Sequence, residues 1–238
     1  MSLDFHAAWQ ALIHHPLFGL GITLGVYQLA VAGYERTRSM LLQPVLFSMS
    51  VLVAVLLLTG LDYAEYSASV TPLTLLLGPT TVALAVPLYL NLRRIRQLFM
   101  PILVTLLVAG VFATVSGVLL GWLLGAERLV LMTLAPKSVT SPIAMLVADE
   151  IGGVAALAAV FVMITGVLGA MFGPALLDLA RVRHPAARGM AMGMTAHAVG
   201  TSRALQEGEE CGAFSALAMS LMGVATAVLL PLLIALIV

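Results

Sequence analysis

Apolar windows of membrane-crossing length follow one another along nearly the whole chain, so no stretch is left in which a soluble domain would fit. Hydropathy places them at Pro16–Tyr34, Leu42–Gly60, Val70–Tyr89, Leu98–Gly125, Leu129–Ala148, Ile151–Leu177, Gly189–Leu205 and Ala213–Ile237. A helix needs about 20 apolar residues to cross roughly 30 Å of hydrocarbon, and these windows are of that order. The 238 residues are 61% hydrophobic and 9% charged, too little polar surface to cover a water-soluble globule of this size. The expected architecture is an all-α polytopic membrane protein of about 7–8 transmembrane elements, with residues 1–238 forming a single membrane domain.

The same composition narrows function. A formal net charge of zero gives no electrostatic footprint for nucleic acid, and the single Cys211 leaves no partner for an internal disulfide or a cysteine metal cluster. His6, His14 and His15 are expected at the membrane interface, with no metal and no other cofactor expected. No basic n-region with a small-residue cleavage site precedes the first window, so a cleavable signal peptide is not expected. Signatures of nucleophile elbows, zinc proteases and P-loops are missing, and an enzyme is not expected.

Between the windows the charges fall into small clusters whose sign carries topology. Lys and Arg in short loops favour the cytoplasm, which puts Arg36/Arg38 and Arg93/Arg94/Arg96 inside and Asp62/Glu65 outside. If every window crosses once, Arg181/Arg183/Arg188 land outside and Asp149/Glu150 inside, against the rule. One change of parity repairs both: a re-entrant hairpin around Pro136–Pro142 that enters and leaves on the outer face. The competing reading is that the rule fails for this late arginine loop.

That segment also holds the only lysine of the chain. Lys137 lies in Ala135-Pro136-Lys137-Ser138-Val139-Thr140-Ser141-Pro142. A lysine at the centre of a membrane helix costs roughly 2.5–3.5 kcal/mol, and flanking prolines free backbone groups that lipid cannot satisfy. A cation, hydroxyls and free backbone N–H groups in one apolar break suit a small anion. A second stretch, Leu77-Gly78-Pro79-Thr80-Thr81-Val82-Ala83, shares a Leu, a small residue, a Pro, a hydroxyl residue and a Val with Leu134–Thr140. The match suggests an internal repeat of broken helices, whose half-helix N-termini would aim at an anionic substrate. Chance similarity in apolar sequence is the alternative.

The third unusual stretch runs from Gly189 to Glu207 and is rich in small residues. Gly189 and Gly193 allow close backbone approach, as do Gly169 and Gly173 upstream. His197, Thr201 and Arg203 would be costly against lipid and are expected to face protein. His197, with an unperturbed pKa of about 6.5, is the first coupling candidate; Asp149, Glu150 and Glu207 are the others. His197 could equally be a hydrogen bonder between helices, and Arg203 could snorkel or pair with Glu207 at i+4.

Several runs together resemble one family. Leu76-Leu77-Gly78-Pro79-Thr80-Thr81-Val82-Ala83-Leu84-Ala85-Val86-Pro87-Leu88-Tyr89, Ala135 to Met145, Ile151-Gly152-Gly153 and Ala196-His197-Ala198-Val199-Gly200-Thr201-Ser202-Arg203-Ala204 resemble the LrgB/CidB family, in its order, from about Pro16 onward. Thr80, Ser141, Val199 and Ser202 are small departures that remove no charged group. The resemblance implies an inner-membrane, multi-pass protein of one of two kinds. One is a secondary transporter of small monocarboxylates such as glycolate, glycerate, pyruvate or lactate, as in the plastidic glycolate/glycerate translocator group. The other is a holin/antiholin-like modulator of murein hydrolase export and cell lysis, working beside a small LrgA/CidA-type membrane partner. On the transporter reading the substrate-binding residues are Pro79, Thr80, Thr81, Pro136, Lys137, Ser138, Thr140, Ser141, His197, Gly200, Thr201 and Arg203. The glycine faces suggest a homodimer in the lipid bilayer, and repeat-built exchangers suggest an elevator-type arrangement by analogy.

Overall fold

The computed structural model describes residues 5–37, 42–76, 79, 82–83 and 85–237. Every regular element among them is helical. The chain divides into two compact units, Met1–Ala83 and Leu84–Val238.

The first unit contains α1 (Phe5–Ile13), α2 (Phe18–Thr37), α3 (Pro44–Thr59), α4 (Tyr63–Ser69) and α5 (Thr71–Leu75). Its boundaries follow local chemistry. Gln43 caps α3, its Oε1 accepting the Leu46 N–H at 2.8 Å, and Pro44 supplies a helix-ready φ at the first position. Gly60 ends α3 at φ 69°, where a side chain would be strained. The Asp62 carboxylate then accepts the Ala64 N–H to start α4. A 2.8 Å hydrogen bond between the Thr23 and Tyr66 hydroxyls joins α2 to α4. Pro79 is exposed; Thr80 and Thr81, with Leu77 and Gly78 of the matching stretch, lie outside the described residues.

The second unit contains α6 (Ala85–Leu90), α7 (Leu92–Gln97), α8 (Phe99–Leu123), α9 (Arg128–Leu134), α10 (Ser141–Glu150), α11 (Ala155–Leu179), α12 (Pro185–Glu207) and α13 (Glu209–Ile237). Three helices of the described residues are long and apolar enough to cross a membrane: Phe99–Leu123, Ala155–Leu179 and Glu209–Leu236. Their large apolar side chains, among them Val108, Phe112, Trp122, Ile164 and Val224, are exposed, which suits lipid and not water. The protein is therefore an all-helical membrane protein. The sequence expectation of about 7–8 crossings is not reached among the described residues. Window Leu129–Ala148 divides into the short helices α9 and α10, Gly189–Leu205 falls in a helix that bends back, and α3 has only 16 residues.

Small residues hold the unit together. A Cβ on Gly193 would run into the Ser215 backbone, and one on Gly189 into the Cys211 carbonyl, so α12 lies directly on α13. Gly169 and Gly173 of α11 seat Ala196 and Met192 of α12. The buried core runs through Leu106, Val139, Ala144, Val162, Met194 and Phe214.

Candidate functional site

Two helical hairpins build the candidate site. The first is α9 and α10. Pro136 and Pro142 cannot supply the N–H groups a continuous helix needs, so the chain breaks at 135–140 and restarts at Ser141 with Thr140 extended. The return is fixed by the Val154 N–H, which donates to the Thr133 hydroxyl at 2.9 Å, and by Gly153, whose missing Cβ lets it lie on the Thr133 backbone. The end of α10 is thereby brought back to the level of α9. With only 7 and 10 residues, the two arms are too short to cross.

The second hairpin is α12. His197 has φ 43° and ψ −126°, a conformation few non-glycine residues adopt, and the helix folds sharply there. Gly200 consequently packs against the Met192 carbonyl. At the base, Arg188 Nε donates to Glu207 Oε2 at 2.8 Å, although the two lie 19 residues apart. A straight helix would separate them by roughly 28 Å.

The hairpins enter from opposite ends of the bundle. Arg94, before α8, reaches the His184 ring at 3.0 Å and Glu210 at 3.4 Å, so the beginnings of α8, α12 and α13 share one face with Arg183. Asp149 and Glu150 are exposed beyond the opposite end of α8 and α11. At 1.5 Å per residue, Ala113 on α8 and Val162 on α11 lie roughly 21 and 25 Å from the arginine face. Those two residues mark the hairpin tips, which therefore reach similar depth.

At the first tip, Lys137 Nζ donates to the Ala113 carbonyl at 2.8 Å. A Cβ on Gly117, one turn further along α8, would lie 2.7 Å from both Nζ and Cε, so the ammonium fits only because that position is glycine. Among the described residues no carboxylate pairs with Lys137. Pro136 and Ser138 are buried beside it, and Thr140 and Ser141 are half-buried at the start of α10. At the second tip, buried His197 places Nε2 3.0 Å from the Val162 carbonyl. A carbonyl oxygen only accepts, so Nε2 carries the proton and neutral His197 presents Nδ1 as an acceptor. Thr201 donates to the His197 carbonyl at 2.9 Å and lies 3.0 Å from the Ser215 hydroxyl, tying the tip to α13.

The other predicted residues divide. Arg203 lies toward the hairpin base, 3.7 Å from Glu207 and 3.5 Å from Gln206, the i+4 pairing the sequence allows. Glu207 is thus engaged by two guanidiniums, and Arg188 further holds Asp178 at 2.6 Å. Sequence reasoning missed Arg188, Ala113, Gly117 and Val162 as parts of this arrangement. A cavity of about 550 Å³ lies between α8, the first hairpin and α13, lined by Trp122, Leu131, Ala135, Thr226 and Leu230 among others. It is apolar, and neither Lys137 nor His197 lines it.

Comparison with known proteins assigns the family. Residues 23–236 match the LrgB-like family. An uncharacterized protein of Haemophilus influenzae is 35% identical over 210 residues, covering 88% of this chain and 91% of the relative. Holin-like protein CidB of Staphylococcus epidermidis is 33% identical over 216 residues, covering 90% and 93%. Antiholin-like protein LrgB of Bacillus mycoides is 28% identical over 218 residues, covering 91% and 95%. No solved structure gives a significant match. With the match spanning both compact units, the chain belongs to the LrgB-like family.

Proposed function

We propose that the protein is a secondary transporter of small monocarboxylates in the bacterial inner membrane. The observation that carries this reading is Lys137, a half-buried ammonium at the tip of a broken hairpin, held by one backbone carbonyl and by no carboxylate among the described residues. With one N–H given to a carbonyl and no carboxylate beside it among the described residues, the ammonium keeps N–H groups for an anion. The start of α10 adds positive helix-end potential beside it, and the oppositely directed His197 tip lies at similar depth. A monocarboxylate such as glycolate, glycerate, pyruvate or lactate would leave the loaded site nearly neutral, which lowers the cost of moving it through a low-dielectric layer. On this reading the two hairpins are re-entrant, the arginine face is cytoplasmic, and the chain is no enzyme. It works as a homodimer, with one hairpin-bearing part moving in an elevator-type cycle coupled to protons through His197.

The names of the relatives favour a second reading. Holin-like and antiholin-like describe control of membrane permeability, which would make this chain a lysis modulator acting with a small LrgA/CidA-type partner. Isotope counterflow in proteoliposomes separates the two. A carrier loaded with unlabelled pyruvate or glycolate accumulates the labelled acid transiently above equilibrium, whereas a holin-like pore only equilibrates it. Leakage without overshoot for every small monocarboxylate tried would leave the lysis reading standing.

A further inference from the structure

The two tips dock in the same way on related sequence. Helix α8 reads Val111-Phe112-Ala113-Thr114-Val115-Ser116-Gly117-Val118-Leu119, and α11 reads Val160-Phe161-Val162-Met163-Ile164-Thr165-Gly166-Val167-Leu168. Five of the nine positions are identical, and two more exchange Val for Ile and Ser for Thr. The third residue of each run supplies the carbonyl, Ala113 to Lys137 and Val162 to His197. The seventh is the glycine that makes room. A Cβ on Gly166 would lie 2.6 and 2.7 Å from Cε1 and Nε2 of the His197 ring, as one on Gly117 would lie 2.7 Å from Nζ of Lys137. The two helices run in opposite directions, each followed by the hairpin whose tip docks on it. A carbonyl and a glycine one turn apart lie on the same helix face, so this spacing is what a seat for a donor side chain requires.

We infer that α8 and α11 carry two antiparallel copies of one docking segment, and that Gly117 and Gly166 are positioning residues seating the Lys137 ammonium and the His197 imidazole at the paired tips. Lys137 and His197 are thus counterparts, a permanent donor and a titratable one, presented from opposite sides of the membrane. An internal duplication is thus carried by the helices that receive the tips. That the seated groups serve an anionic ligand rests on the transporter reading; the docking does not.

The single lysine makes the seat directly observable. Full-length protein labelled with [15Nζ,13Cε]lysine and reconstituted in nanodiscs gives one side-chain signal from Lys137. Gly117→Ala is expected to shift that signal, because Nζ must leave the Ala113 carbonyl. Gly25→Ala, whose added Cβ meets nothing within 4 Å, should leave it in place. Each seat glycine should lower the melting temperature when changed to Ala in the wild-type background and lose that penalty when the facing side chain is also truncated, in Gly117→Ala/Lys137→Ala and Gly166→Ala/His197→Ala. If a single variant fails to fold, recovery in the double variant supports the inference and equal failure overturns it. An unmoved lysine signal in Gly117→Ala, or penalties that persist in the truncated backgrounds, would also overturn it. Sodium pyruvate added to the wild type should shift the same signal. If pyruvate, glycolate and glycerate all leave it unchanged while the glycine effects hold, the docking inference stands and the carboxylate reading falls.

Discussion

Arg188 and Glu207 join the two ends of one broken helix, their charged groups 2.8 Å apart. Both side chains are largely shielded, at 13% and 15% exposure, so the pair is screened less than a surface bridge. It closes the base of the α12 hairpin while the strained His197 backbone opens its tip. Removing one partner should cost about 1.5–3 kcal/mol, the range of a charge-assisted hydrogen bond, and should be read first as faster proteolysis near residue 208. Reversing the pair, Arg188→Glu with Glu207→Arg, should recover part of the loss, limited by Asp178 and Arg203, which contact the original groups. Equal protease resistance in Arg188→Ala and wild type would remove the pair from the account of the fold-back.

Lys137→Ala should leave the hairpin folded, since the break is set by Pro136 and Pro142. It should weaken binding of a small carboxylate roughly ten- to hundredfold, the equivalent of one charge-assisted contact of about 1.5–3 kcal/mol. Lys137→Arg should fail nearly as badly. The wall facing the ammonium is the surface of α8 at Gly117, and a planar guanidinium is too broad for that seat. Wild-type uptake by the alanine variant would reduce Lys137 to a packing group.

The two breaks differ in how plainly they are written. The first is visible in the sequence because two prolines interrupt an apolar run around a lone lysine, and each of these residues forbids an ordinary lipid-facing helix. The second has no proline. His197 sits among residues compatible with helix, so Gly189–Leu205 reads as one span, and what folds it back is contact between residues distant in sequence, among them the Arg188–Glu207 pair, the His197–Val162 bond and the glycine contacts. Arg203 shows the same limit: its i+4 partner is legible, but whether a nearer anion would displace that partner depends on tertiary placement. The carbonyl seats were hardest to see, since a backbone acceptor leaves no residue type to search for. Their trace is the repeated run ending in Gly-Val-Leu, displaced from the proline-bearing stretches where a repeat was expected.

Topology within the second unit gives a direct check. In a Cys211→Ser background, cysteines at Arg96 and Arg183 should react with an impermeant thiol reagent from the same side of the membrane. A cysteine at Glu150 should react from the other. All three positions are exposed, and no crossing from α8 to α11 reconciles them unless α9 and α10 turn back. Labelling of the Arg96 and Glu150 variants from one side, with Arg183 from the other, would contradict the re-entrant reading of α9 and α10.

On the transporter reading, proton coupling would rest on His197. With its Nε2 proton committed to the Val162 carbonyl, the neutral ring has one remaining lone pair, on Nδ1, and taking up a proton there creates a second donor without breaking the first bond. An imidazole fixed in this way can change charge while staying in place, which is what a coupling group at a hairpin tip needs. The 15N spectrum of selectively labelled His197 should show the Nε2–H tautomer. His197→Gln keeps a donor for Val162 but cannot become a cation. Its uptake should therefore lose the acceleration given by an inward proton gradient, while counterflow exchange, which needs no net proton movement, survives. His197→Gly, by contrast, relieves about 1–3 kcal/mol of backbone strain at φ 43° and gives up the Val162 bond, so its stability should change little while both pH dependence and tip placement are lost. If wild-type uptake is indifferent to an imposed pH gradient and responds to sodium instead, His197 is a packing residue, and the exposed Asp149 and Glu150 become the groups to substitute next.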